Sequence, residues 1–434
     1  MTRLTASPAY RWYVLGVLFL VYVVNFVDRQ ILSSLVGPIQ KEFGVSDTYM
    51  GLLGGLAFAV LYSVAGIPIA RWADVGSRRN VIAIAVALWS ALTAACGTAQ
   101  SFVQLAVYRV GVGIGEAGGS APSHSLISDY FPPEHRARAL ALLSMGIHVG
   151  IFIGLVAGGY FTSDWRNAFM IVGLPGIALA LIVRFTIREP ERGATAGTAE
   201  PASASPTDGP MASDSDHIVP SLRETFSTLT SLRSFPLVLA AASAAALSGY
   251  GFAFWGFVLF ERVHEIPRME IGWTLGLITG IGGGLGTWAG GQLGDRLGQR
   301  DIRWYGWAGA IGLAATLPLG IGAFYSHDTT TALLFGAVFL FAGAVYVGPM
   351  YAILQGISPP RMRTMAPALL FFCNNLIGLG AGPSIVGALS DSLATTSGSD
   401  SIRHALMIVT LINLPAAWLF FRLARELPRE MNQP

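Results

Sequence analysis

The stretch GQLGDRLGQR, residues 291–300, has a counterpart much earlier in the chain: ARWADVGSRR, residues 70–79. Asp74 aligns with Asp295, and each is followed five positions later by an arginine, Arg79 and Arg300. A second pair of segments repeats in the same order. PPEHRARALA starts at Pro132 and PPRMRTMAPA at Pro359, so that Arg136 matches Arg363 and Ala139 matches Ala366. Two signatures recurring in order argue for an internal duplication. Parallel repeats of this kind imply a transporter whose halves rock about a site near the bilayer midplane.

Composition places the chain in a membrane. Of 434 residues, 53% are hydrophobic and 12% charged, whereas a soluble domain carries about a quarter charged residues. A span needs about 20 mostly apolar residues. Twelve candidates follow, at roughly 12–37, 49–71, 79–98, 102–128, 138–162, 167–187, 236–261, 270–293, 304–324, 331–356, 363–390 and 403–423. Between the sixth and seventh lies a stretch rich in Ala, Ser, Thr, Pro and Gly, which reads as a flexible linker. The expected organisation is all-α and membrane-integral: six helices in 1–188, a cytoplasmic linker in 189–233, six helices in 234–434. The first apolar run is too long for a cleaved signal and reads as a retained span.

Arginines set the orientation. Alternate loops carry Arg71, Arg78 and Arg79; Arg136 and Arg138; Arg296, Arg300 and Arg303; Arg361 and Arg363. These loops belong in the cytoplasm, with both termini. The segment holding Glu261, Arg262, Glu265, Arg268 and Glu270 is mixed in sign and fits this scheme least well. A net charge of +2 gives no reason to expect a nucleic-acid partner. Cys96 and Cys373 both sit in apolar runs and read as free core thiols; no metal-ligand cluster is expected. The run GVGIGEAGG, residues 111–119, follows no strand and lies inside a span, so close helix packing explains it better than a dinucleotide loop. No Walker motif or nucleophile elbow is present, so ATP-driven transport, catalysis and a cofactor all lack support.

Charged side chains inside spans are costly and mark functional positions. Asp28 and Arg29 interrupt VYVVNFVDRQILSSLVG in the first span; Arg109 and Glu116 lie in the fourth. At 1.5 Å per residue, Asp28 lies roughly 24 Å from the cytoplasmic start of its helix and Arg109 roughly 20 Å from that face, so the two can pair. Glu116 follows Arg109 by about two turns and shares its face. The expectation is a proton-coupling or gating set of Asp28, Arg109 and Glu116, with Arg109 moving between the two acids. His148, mid-span in the fifth helix, is a further candidate, while His124 reads as a satisfied helix-face histidine. Arg29, about 100° around the helix from Asp28, is expected to be free to face the cavity and hold an anionic head. Phe26 joins it as a candidate substrate contact. In the second half the candidates are Tyr250, Phe254 and Trp255 in GYGFAFWGFVLF, and Phe371 and Asn374 in LLFFCNN. One charged wall facing an aromatic one suits an amphiphile.

The loop GQLGDRLGQR resembles the signature of the major facilitator superfamily, and the first copy departs from it at Ala70 and Gly76. The resemblance covers the whole chain and implies the two-bundle fold of that superfamily. Asp74, Arg78, Arg79, Asp295, Arg296 and Arg300, with Arg136 and Arg363, would then latch the cytoplasmic side by pairing with helix ends and acids. The Asp-Arg pair of the first span and RVGVGIGEA in the fourth are similar to the Spinster-like branch. That resemblance implies a carrier of lysophospholipids or sphingoid phosphates; the carrier is expected to be a monomer among membrane lipids, with protons as the coupling partner suggested by the intramembrane charges. The resemblance places coupling or gating on Asp28, Arg109 and Glu116 and head contact near Arg29. Arginine usage, short termini and the absence of an Asn-x-Ser/Thr sequon favour a bacterial inner membrane. A proton-coupled carrier of small organic anions and a non-transporting membrane sensor stay open as alternatives.

Overall fold

The computed structural model describes residues 7–161, 164–192, 222–359, 362 and 365–431. Arg363 and most of the expected linker lie outside them; the linker's last part, Leu222–Ser231, is helical. Helices account for the regular structure, and among the described residues there is no strand.

Among the described residues, nine helical runs are long and apolar enough to cross a membrane, and the last of them, Met365–Glu430, is two spans in series. The fourth and eighth spans complete the set of twelve. The fourth is Phe102–Glu116 followed by Ser120–Tyr130. The eighth is Arg268–Leu277, a π turn at Ile278–Gly282, and Gly283–Gly298. Their charges and glycines dilute the apolar signal. The remaining spans are Pro8–Ser34, Asp47–Val75, Arg78–Cys96, Pro133–Tyr160, Trp165–Thr186, Ser234–Val263, Trp304–Tyr325, Thr329–Ile357, Met365–Ser397 and Ser401–Glu430. A short helix, Val36–Phe43, follows the first span where the sequence suggested only the span's end.

Side-chain caps fix where spans begin. Ser7 accepts from the Tyr10 amide, Ser101 from Gln104, Asp164 from Asn167 and Asp328 from Thr331. Each supplies an acceptor to an amide that the helix itself leaves unpaired.

Glycines then set how closely spans approach. The fifth helix lays Gly146, Gly150 and Gly154 on the first: an added Cβ would come within 2.8 Å of Tyr22 Cβ, 2.6 Å of the Val23 carbonyl oxygen and 2.9 Å of Gln30 Cβ. Small residues at four-residue spacing let backbones touch in this way. In the second half, Gly378 and Gly382 of the eleventh span press similarly on Ala246 and Leu247 of the seventh.

The two ends of the bundle differ. The termini share one end, here the terminal side. On the opposite, far side the halves are jammed together: a Cβ on Gly55 would lie 2.5 Å from the Gly380 carbonyl oxygen, and one on Gly272 2.6 Å from that of Leu155. Nearer the terminal side, the same second and eighth spans stand clear. A Cβ on Gly66, Gly283 or Gly284 would meet nothing within 4 Å, and Ile67 is 63% exposed. The cleft between the halves is therefore closed on the far side and open on the terminal side.

Candidate functional site

A cavity of about 100 Å³ lies between the halves. Arg29, Gln30, Ser33 and Arg109 form the polar part of its first-half wall beside Phe26, while Tyr250, Phe254 and Leu379 form the facing wall. Tyr250 contributes the polar tip of an otherwise apolar surface.

Four charges behind the first wall form two crossed pairs. Arg109 Nη1 donates to Asp28 Oδ1 at 2.7 Å, and Thr93 of the third span donates its hydroxyl to Asp28 Oδ2. Asp28 is 1% exposed, with both oxygens engaged. Arg29 turns the other way and donates Nε to Glu116 Oε2 at 2.5 Å. Its guanidinium lies 4.8 Å from the Tyr62 ring centroid and 5.3 Å from that of Phe58, within cation–π range.

Helix pitch explains the pattern. Adjacent residues on the first helix diverge by about 100°, while Arg109 and Glu116 are stacked about two turns apart on the fourth. Because the first and fourth spans run antiparallel, both present acid before base when read from the terminal side, so the two pairs cross. The expectation of a free Arg29 is corrected: it faces the cavity, but as the partner of Glu116. In this state Arg109 is paired with Asp28, and Glu116 with Arg29. Glu116 retains one unpartnered buried oxygen, Oε1, and Arg109 one unpartnered nitrogen, Nε.

Other expected contacts lie elsewhere. Trp255 is fully buried and its indole donates to the Pro383 carbonyl at 2.8 Å, so it belongs to the core and not to the cavity wall. Phe371 is 52% exposed against Tyr351, and Asn374 accepts from Ser243 at 3.2 Å. His148 is half-buried in the fifth span, next to the π turn of the eighth, with Nδ1 unpartnered. None of these four lines the cavity.

The terminal-side signature residues divide in two. Arg78 is buried and binds Glu189 Oε1 at 2.8 Å, Ser125 Oγ at 2.9 Å and Asp129. The Arg79 amide donates to Glu189 Oε2 at 2.8 Å. Burial pushes the Glu189 carboxyl up, but the Arg79 amide, Arg78 and Ser77 outweigh it and hold it below the usual carboxylate range. All of these ties lie within the first half. Asp74, Asp295, Arg296 and Arg300 are exposed, with Asp295 accepting from Tyr305 at 3.2 Å, and Arg136 is half-buried.

The far side holds a network that the sequence reading did not anticipate. Arg262 binds both oxygens of Asp47 at 2.7 Å, and Gln40 at 2.7 Å. Asp391 accepts from the backbone amides of Asp47 and Thr48 at 3.1 and 2.8 Å. Arg268 joins Glu261 at 2.5 Å and reaches the Ser34 carbonyl. The signal was present: Arg262 and Arg268 are the residues that fitted the orientation rule least well. They hold the halves together, which explains their presence on that side.

Comparison with known proteins agrees with this architecture. Residues 18–383 match the family model of the Major Facilitator Superfamily, and the chain belongs to that superfamily of membrane transporters. Within it the chain is Spinster-like. It shares 29% identity and a TM-score of 0.87 with a bacterial homologue of the human lysosomal transporter Spinster in an inward-facing, unoccupied conformation, over 99% of this chain and 100% of that one. It is 32% identical over 419 residues to an MFS-type efflux pump of Mycolicibacterium smegmatis, covering 95% of this chain and 93% of the pump. Protein spinster of Drosophila melanogaster is 26% identical over 403 residues, which span 90% of this chain and 64% of that protein.

Proposed function

We propose that this transporter carries amphiphiles with an anionic head, of the lysophospholipid or sphingoid-phosphate kind, by alternating access coupled to protons. The observation that carries the reading is the cavity's asymmetry: Arg29 and Arg109 on one wall, Tyr250, Phe254 and Leu379 on the other. A phosphate matches the guanidinium fork, and the apolar wall takes the chain.

The crossed pairs suggest how a proton enters. An anionic head that binds Arg29 competes with Glu116 for the same donor. Released from Arg29 in a water-poor site, Glu116 is favoured in its protonated form. Asp28, held by Arg109 and Thr93, keeps Arg109 oriented at the cavity. We further propose that the terminal side is cytoplasmic, that the membrane is a bacterial inner membrane, and that the chain works as a monomer of two six-helix bundles. The exposed Asp74, Asp295, Arg296 and Arg300 would then latch the terminal side when it closes.

Flux of a labelled lysophospholipid into proteoliposomes, with and without a pH gradient, tests the reading. Saturable flux that responds to the gradient and is lost in Glu116→Gln is the expected result; binding without flux would indicate a sensor. The modest cavity volume favours a second reading, transport of smaller organic anions, and the mycobacterial efflux pump would give its direction as export. In that case carboxylates compete for flux and lysolipids do not.

A further inference from the structure

A second, smaller cavity of about 40 Å³ lies behind the first. Gln30, Ile151 and Ala253 border both, so these three residues form the partition. The Gln30 side chain is fixed in place: its amide nitrogen donates to Ser33 Oγ at 2.7 Å and to the Ala253 carbonyl at 3.0 Å, across the two halves. Beyond it the walls are Leu155 of the fifth span, Gly256 and Phe257 of the seventh, and Leu275 and Thr279 of the eighth.

The chemistry of these walls is nearly all hydrocarbon. Two polar side chains reach the chamber, and both have their donors engaged. Gln30 uses its amide as above, and Thr279 donates its hydroxyl to the Leu275 carbonyl. A buried water needs two to four polar partners, and an apolar cavity that lacks them takes hydrocarbon or xenon instead. At Gly256 the wall has no side chain, and a Cβ there would approach the Phe252 ring to 3.2 Å.

We propose that this chamber is an alkyl-end subsite: it receives the last few carbons of the substrate's chain, with Gln30 and Leu275 setting the length accepted. The proposal rests on the amphiphile reading above and adds a ruler to it. Both halves build the chamber, from the first and fifth spans on one side and the seventh and eighth on the other. Filling it therefore favours this far-side-closed state over one in which the halves part there.

The test is binding of an n-alkyl phosphate series, octyl to hexadecyl, to the full-length protein below micelle-forming concentrations. Affinity should rise about fourfold per methylene, the equivalent of roughly 0.8 kcal/mol, until the chain fills the chamber, and then level off. Leu275→Ala enlarges the chamber and should move that break to longer chains; Gly256→Ala fills it and should move the break to shorter ones. Identical breaks in all three proteins overturn the proposal. Should a variant fail to fold, xenon uptake by the wild-type protein gives an independent readout, and no xenon between Gln30 and Leu275 overturns it too. If no alkyl phosphate binds at any length, the anionic-amphiphile reading fails and takes the ruler with it, even where xenon occupies the chamber; binding without a shift of the break in the variants overturns the ruler alone.

Discussion

Asp391, in the eleventh span, caps the helix that begins at Asp47 in the other half of the molecule. Its carboxylate accepts from the Thr48 amide at 2.8 Å and from the Thr48 hydroxyl at 2.5 Å. The local N-cap residue, Ser46, makes no side-chain cap bond. The second span thus borrows its cap across the interface that must open for alternating access.

Removing that cap should shift the conformational balance. Asp391→Ala is expected to favour the far-side-open state by roughly 1 kcal/mol, a factor of about five. Asp391→Asn, still a good cap, should stay near wild type. Spin-label distances between the far-side ends of the second and eleventh spans read the outcome. Equal distance distributions for both variants and wild type would remove the cap from the gating balance.

Arg262 and Asp47 form the bidentate tie beside it. A double-mutant cycle with Arg262→Gln and Asp47→Asn should give a coupling energy of about 1–3 kcal/mol on the same equilibrium. Additive effects would mean that the pair does not hold the gate.

Removing one member of the inner pair is expected to be costly. Arg29→Ala leaves Glu116 buried without its counter-charge, and the cost should be about 3–5 kcal/mol. The fold should recover in Arg29→Ala/Glu116→Gln. That double variant then isolates the ligand effect: anionic amphiphiles should lose affinity while uncharged ones keep it. Thermal unfolding in detergent, followed by binding of both ligand types, checks each step.

Glu189 makes stability depend on pH. Its folded-state pKa is depressed, so its contribution is complete above the ordinary glutamate value and is lost as pH falls through the folded one. The stability gap between wild type and Glu189→Gln should therefore be full at neutral pH and close on acidification below the usual carboxylate range. Thermal unfolding of both proteins across that range measures the gap; a gap that persists in acid would mean Glu189 acts by packing alone.

The sequence made parts of this molecule legible and hid others for physical reasons. Helical repeat and span length brought Asp28 to Arg109, because both follow from one helix pitch and one bilayer thickness. The same arithmetic placed Glu116 on the correct face but did not pair it with Arg29, since the relative rotation of two helices is set by packing. Phe58 and Tyr62, which flank Arg29, looked like any aromatic pair in an apolar run. Trp255 looked like its neighbour Phe254, but one step along the helix turns it into the core. The far-side ties were the least visible. Asp47 and Asp391 are distant in sequence, and charges near span ends are ordinarily read as topology signals.

The glycine seam between the first and fifth helices limits what rocking can do. With backbones in contact at Gly146, Gly150 and Gly154, the first helix has no room to slide or roll independently of the fifth. Asp28, Thr93, Arg109, Arg29 and Glu116 all belong to that same half. If the half turns as one body its internal distances stay unchanged, and rocking by itself would not swap these partners. On the proposed function, the exchange would begin from the cavity, where an arriving anion would be a new claimant for Arg29. On the proposed coupling, cargo would then be the trigger for protonation, and an unloaded cycle would carry no proton.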